Sequence, residues 1–461
     1  MHKNFVTNTP LYFLPMETFS VIFQLLLALS ILVVLHELGH FIPARIFKIR
    51  VEKFYLFFNP WFSLFKYKKG DTEYGIGWLP LGGFVKIAGM IDESMDTDQM
   101  KQPPKPDEFR SKPAWQRLIV MIGGVVVNIL LAFFLYAMIA FVWGKDFVKN
   151  EDYIHGIEVL TPTLVGDDLF QNGDKIISIE GEPLNELMQA NNKMLINQAK
   201  NYTVERNGEL VDITIQDEGI DYMLKKESIV FIPRVPTEID SVMPTGIAKE
   251  LGLKKGDQIQ QINGVDVSMF DQFREELTNM KENSLDSFDL VVSRNGEELM
   301  FNSRFDTTFK LGFQNVFFLT YDFKKTHISY TLAQAIPEGI TLARTTLMDY
   351  INQFKLIFTK KEAVKKVGGF GTIARIFPTT WDWKIFWSRT AFLSVVLAFM
   401  NILPIPALDG GHVMFLIYEM ISGRPPSDKF LEKAQMFGFF ILLFVMLYAN
   451  GNDFYRWFTG Q

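Results

Sequence analysis

LSILVVLHELGHFIPARIF, residues 29–47, is an oily run interrupted near its end by His36, Glu37 and His40. Residues four apart on an α-helix share a face, so the two imidazoles project side by side and can hold one metal ion. Ionisable side chains near a bilayer centre cost about 2.5–3.5 kcal/mol each for Asp, Lys or Arg on insertion scales. Three polar groups this close together therefore need compensation. A shared metal is the favoured reading; a network of satisfied histidines or placement at the membrane interface are the alternatives.

The rest of the chain supports a membrane setting. Of 461 residues 48% are hydrophobic and 44 are Phe, and the mean hydropathy is +0.11, so part of the apolar content faces lipid rather than a core. Four stretches reach the roughly 20 residues a helical crossing needs: 18–43, 117–143, 388–408 and 430–449. The first starts too far in and lacks a small-residue cleavage site, so it reads as an anchor and not a removed signal peptide. Residues 1–16 are polar and Pro-containing, with Met16 an alternative start. The net charge of −6 gives no sign of a nucleic-acid surface, and the absence of cysteine excludes disulfides, thiolate zinc sites and cysteine nucleophiles.

His36-Glu37-x-x-His40 is the HExxH pattern of zinc hydrolases. Zinc lowers the pKa of a bound water to about 7, and Glu37 can take a proton from that water without being a ligand. A catalytic zinc takes three protein ligands, so the third must be a His, Asp or Glu from another span. Asp409 in MNILPIPALDGGH (400–412) is the candidate and His412 its rival. Both motifs lie at the C-terminal ends of their spans, the first and the third, so the chain crosses twice between them and returns to the same membrane side.

Basic residues set the expected orientation. Arg45, Lys48, Arg50, Lys53 and Lys66 follow the first span, Arg110, Lys112 and Arg117 precede the second, and Arg424, Lys429 and Lys433 lie between the third and fourth. The positive-inside rule makes these loops cytoplasmic. The stretch from 331 to 387, with Lys355, Lys360, Lys361, Lys365 and Lys366 beside an apolar face, runs against that count. It suits a helix on a membrane surface or an ordinary linker helix equally.

Between the second and third spans lies an internal repeat. NGDKIISIEGEPL (172–184) matches KGDQIQQINGVDV (255–267), and YTVERNGELVDITI (202–215) matches LVVSRNGEELMFNS (290–303). Each copy offers a Gly-Asp turn, a short strand, a second turn, a helix and an Asn-Gly hairpin. Two copies of this order look like tandem PDZ-like domains.

With HELGH, the later LDGGH and the paired repeats, the chain resembles the site-2 protease family of intramembrane zinc metalloproteases, in particular its bacterial members with tandem PDZ domains. TEYGIGWLPLGGFVKIAGM (72–90) and NDFYRW (452–457) extend the resemblance over nearly the whole chain. The chain departs from the family pattern at Gly124-Val125, at GGFG (368–371) and at FFNP (57–60).

The resemblance implies zinc (Zn2+) held by His36, His40 and Asp409, with Glu37 as general base. It also implies substrate handling by Asn401, Pro404, Pro406 and Asn128; as polar residues, Asn128 and Asn401 are also candidates for a wet path to the site. The fold class is then a polytopic α-helical membrane protein of about four transmembrane helices, a membrane-associated β-hairpin or loop after the first, and two inserted extracytoplasmic PDZ-like α+β domains. Helix 1 takes 17–47, a cytoplasmic or membrane-associated loop region 48–113, helix 2 114–144, the PDZ-like domains 148–234 and 235–306. A connector with amphipathic helices takes 307–387, helix 3 388–410, a cytoplasmic loop 411–428 and helix 4 429–450.

The implied activity is endoproteolysis of single-pass transmembrane proteins in regulated intramembrane proteolysis. The implied partners are an anti-sigma-factor-like substrate or signal-peptide remnant, the lipid bilayer, and indirectly an upstream site-1 protease. The implied place is the bacterial inner (cytoplasmic) membrane, with the active site toward the cytoplasm. The competing reading is a non-enzymatic receptor or scaffold that binds exported peptides, with a dead or structural metal site; loss of Glu37 or a ligand would favour it, and neither is lost. A transporter would need inverted repeats and more spans.

Overall fold

Six long or medium helices carry the part of the chain that holds the HELGH motif: α1 (Met16–Ile46), α2 (Ala114–Trp143), α3 (Leu332–Thr359), α4 (Trp383–Ile402), α5 (Asp409–Ser422) and α6 (Asp428–Thr459). Four of them, α1, α2, α4 and α6, are long and apolar enough to cross a membrane. The structure, a computed structural model, describes residues 16–80, 82–90, 102–226, 229–305, 309–318 and 321–459; the polar stretch before Met16 lies outside them. The chain divides into two units, 1–145 with 329–461, and 146–328.

Glycine sets the central helix contact of the first unit. A Cβ on Gly39 would stand 2.4 Å from the Gly123 carbonyl oxygen, and one on Gly123 would stand 2.0 Å from that of Gly39. Backbones of α1 and α2 thus touch at the HELGH motif. Without a hydrophobic driving force between helices in lipid, such small-residue contacts are what let spans pack closely.

Four helix boundaries differ from the sequence reading; one is that of α6, which runs past 450 to Thr459. The third span starts at Trp383, not 388, because the Asp382 side chain accepts a hydrogen bond from the Ile385 amide at 2.8 Å and caps the helix. It stops at Ile402, just before the Leu403–Pro404 and Ile405–Pro406 pairs, where proline removes donors and restricts its predecessor. The stretch 411–428, read as a loop, is mostly helix α5, closed by Gly423 in the left-handed region at φ 72°. Its glycine pair marks close packing: a Cβ on Gly410 would meet the Leu403 carbonyl oxygen at 2.2 Å.

Within the connector, α3 buries the small-residue stripe Ala335, Gly339 and Ala343. A Cβ on Gly339 would lie 2.4 Å from the Ala137 nitrogen of α2, and Tyr350 of α3 meets Phe392 and Phe399 of α4 edge-on. This helix is a packed member of the bundle, which neither a surface helix nor a plain linker describes. After α1 comes a four-stranded sheet of β1 (Val51–Leu56), β2 (Phe58–Lys69), β3 (Thr72–Leu79) and β4 (Phe84–Ile87), in the order β2-β3-β1-β4. Along β2, Trp61, Phe62, Leu64 and Phe65 are exposed, with Trp61 and Phe62 stacked on Trp78.

The second unit is built from the two repeats. Each has a four-stranded sheet of the same order and a separate two-stranded one, 157–159 with 231–233 and 239–242 with 313–315. The second repeat therefore extends past 306, because a strand at 313–315 closes it. The four matched turns hold left-handed pairs: Glu180-Gly181, Asn207-Gly208, Asn263-Gly264 and Asn295-Gly296. Ile176 and Ile179, and their counterparts Ile259 and Ile262, are all buried despite a spacing of three. A register shift between Ile176 and Ser178, and between Ile259 and Gln261, turns the second isoleucine inward in both copies.

The Gly-Asp turns have a shared purpose. Asp174 grips Arg206 through Nε and Nη2, both at 2.8 Å, and caps the Gln171 amide. Asp257 does the same with Arg294 at 2.7 and 2.8 Å and with the Lys254 amide. Each pair ties the turn to the residue before the Asn-Gly hairpin.

Burial pushes the Asp257 carboxyl up, but hydrogen bonds from Arg294 and the Lys254 amide, with the Arg294 charge, outweigh it and hold it below the usual carboxylate value. The stability this group contributes is present above about pH 4 and is lost as pH falls through the lower folded value. Asp257→Asn is expected to lower the unfolding midpoint at neutral pH by several degrees and to flatten the acid limb of the stability curve. Thermal scans across pH check this; an unchanged midpoint would contradict the clamp.

Candidate metal centre

His36 and His40 lie one turn apart on α1, and Asp409 opens α5 just after the proline-broken segment that ends α4. The three donor atoms form a near-equilateral triangle. His36 Nε2 and His40 Nε2 are 3.3 Å apart, and Asp409 Oδ2 is 3.3 Å from each. A tetrahedral zinc with bonds of about 2.0–2.1 Å requires ligand separations of roughly 3.3 Å. Asp409 Oδ2 is buried and has no hydrogen-bond partner. Three lone-pair donors converging in a buried place repel one another unless a cation lies among them. The donor set therefore fits a metal, and N and O ligands in this number suit zinc.

The neighbouring helix shapes the pocket for the imidazoles. His40 Nδ1 donates to the Val120 carbonyl oxygen at 2.8 Å, which leaves its Nε2 lone pair for a metal. Gly124 lies one turn further along α2, against both rings. A Cβ there would stand 2.5 Å from His36 Cε1 and 2.5 Å from His40 Nε2. One further turn on is Asn128, fully buried, with Nδ2 3.2 Å from His36 Nδ1, its Oδ1 without a partner. Ser394 of α4 donates to the Asn128 carbonyl at 2.7 Å and secures that position.

Glu37 faces a cavity of about 770 Å³, lined by the three donors, Asn401, His412 and the strand residues Phe84 and Val85 among others. Val85 of β4 lines the same cavity, and a Cβ on Gly83 would stand 2.6 Å from Val33 Cγ1 of α1 and 2.7 Å from the Tyr55 carbonyl oxygen of β1. The glycine thus lets the entry to β4, an edge strand among the described residues, lie close against α1 and β1.

A sequence pattern for peptidase family M50 matches residues 24–445. The chain belongs to peptidase family M50. Among its relatives is the regulator of sigma E protease of Haemophilus influenzae, 25% identical over 458 residues, covering 94% of this chain and 98% of that one. Proteins named as zinc metalloproteases in Borreliella burgdorferi (25% over 438 residues, 93% and 96% covered) and Vibrio cholerae (26% over 458 residues, 94% and 97%) are also similar. An M50 chain with this donor set is a zinc metalloendopeptidase of the site-2 protease family, as the resemblance implied, with zinc as its metal.

Of the residues singled out in the sequence, His36, Glu37, His40, Asp409 and Asn401 meet at the cavity, with Asn401 Nδ2 3.2 Å from His36 Nε2. His412 also lines the cavity but stands outside the donor triangle, with Nε2 3.5 Å from the Gln435 amide nitrogen. Pro404 is exposed and Pro406 borders a neighbouring cavity. Asn128 lies behind His36, off the cavity lining. Val120, Gly124 and Val85 went unread, because backbone carbonyls and missing side chains leave little mark in a sequence; Gly124 was noticed only as the neighbour of Val125, which stands where the family often has proline.

Zinc content of the detergent-purified protein checks the centre. Wild type is expected to hold about one zinc per chain, the number a three-ligand site of this kind takes. Asp409→Ala and Gly124→Ala are expected to lose it or bind at least about tenfold more weakly, the size that disturbing a ligand's support produces. Glu37→Gln keeps it. Zinc unaffected by Asp409→Ala would overturn the assignment.

Proposed function

We propose that this protease cuts single-pass membrane proteins within or beside their transmembrane helix. The observation that carries the reading is a donor triangle and a carboxylate set between helices long enough to span a bilayer, beside a strand edge that is unpaired among the described residues. A substrate helix must unwind before its peptide carbonyl can be attacked, and unwound backbone in hydrocarbon needs new hydrogen-bond partners. The outer edge of β4 offers them along the cavity wall.

In this mechanism His36, His40 and Asp409 hold zinc, which when bound supplies Lewis acidity. Glu37 takes the proton of the attacking water and returns it to the departing amide nitrogen, so that water is consumed and two chain ends are released. The Asn401 amide, beside His36 Nε2, orients the scissile carbonyl. Pro404 and Pro406 keep the backbone irregular next to Asp409, so that the carboxylate turns toward α1.

The wider setting follows the same reading. The repeats at 146–328 are PDZ-like domains on the extracytoplasmic side, acting as a size filter or tail reader. The basic loops and the active site face the cytoplasm, and the membrane is a bacterial inner membrane. The substrate is an anti-sigma-factor-like protein already trimmed by another protease, a role the name of the Haemophilus relative suggests, or a signal-peptide remnant.

Wild type and Glu37→Gln, each reconstituted with a pre-trimmed single-pass substrate, test the proposal. Cleavage is expected to fall about 10²–10⁴-fold in the variant. Equal cutting by both would sink it.

A further inference from the structure

Asn128 is an odd residue to find sealed inside a helix bundle: fully buried, on a span, with one amide atom unpartnered. Its neighbour is His36 Nδ1 at 3.2 Å. A neutral imidazole carries one proton. If His36 Nε2 gives its lone pair to a metal, that proton must sit on Nδ1 and needs an acceptor in a place water does not reach. The amide turns its NH2 group toward Nδ1, so with a metal on Nε2 two donors would face each other. The oxygen and nitrogen of an amide are nearly alike in shape, so the hydrogen-bond network decides which way it faces. Rotating the group by half a turn sets Oδ1 opposite the Nδ1 proton.

We infer that Asn128 is a positioning residue for the metal centre, its side-chain oxygen accepting the Nδ1 proton of His36. The parallel with His40 supports this. That ring is already oriented from the same helix by the Val120 carbonyl. Val120, Gly124 and Asn128 form an i, i+4, i+8 stripe on α2: an acceptor for one ring, a space for both, and an acceptor for the other. Asn128 therefore acts through His36 and does not touch substrate, in keeping with its absence from the cavity lining.

The inference rests on the metalloprotease reading, and zinc affinity separates the two. Chelator competition on detergent-purified protein would compare wild type, Asn128→Leu and Asn128→Asp, with metal-free thermal midpoints measured alongside. Asn128→Leu removes the acceptor at similar volume and is expected to weaken zinc about 10–100-fold, the usual effect of losing such a partner. Asn128→Asp keeps an acceptor and no donor, so it is expected to stay within a few-fold of wild type. Should Leu bind zinc like wild type, or Asp lose as much as Leu, the inference is overturned while the metal centre stands. If Leu fails to fold, the Asp variant still decides between acceptor and donor. Wild type without zinc would overturn the centre and the inference together.

Discussion

Three electron-rich atoms held 3.3 Å apart in a buried place are the constraint on which the first unit depends. The arrangement is costly unless a cation resides there, and the cost is highest where water is scarce. Around it, each further contact limits what the donors can do. Val120 orients one ring, Gly124 leaves both rings room, and β4 lines the cavity beside Glu37. The chemistry thus depends on the backbone of α2 as much as on the side chains of α1.

That arrangement needs α1 and α2 closer than side chains would permit. Gly39 sits inside the HELGH motif, where it has no chemical duty, yet its contact with Gly123 fixes how near the imidazoles come to α2. Similar logic recurs at Gly339 against Ala137, and at Gly438, whose added Cβ would overlap the Pro406 carbonyl. The bundle is organised by places where side chains are missing.

Much of this was legible in the sequence, for identifiable reasons. HELGH could be read because helical spacing alone puts His36 and His40 on one face. Asp409 could be read because a chain without cysteine leaves few third ligands. The repeats declared themselves through turns that demand Gly and Asn at fixed offsets. What escaped notice was carried by tertiary context. The buried isoleucines three apart in a strand make sense only with the bulge, and α5 was hidden behind a glycine pair that serves packing instead of a turn. Helix α3 looked amphipathic because its buried stripe is made of small residues rather than large apolar ones.

The separation of His36 from Asp409 along the chain has a consequence in time. The two lie 373 positions apart, so the third donor is made long after the first two. At synthesis rates of about 5–20 residues per second, roughly 20–75 s pass between them. Throughout that interval the nascent chain has HELGH without its third donor. The full donor set is therefore completed only after most of the chain has been made, and a half-made chain lacks the site that would cut it.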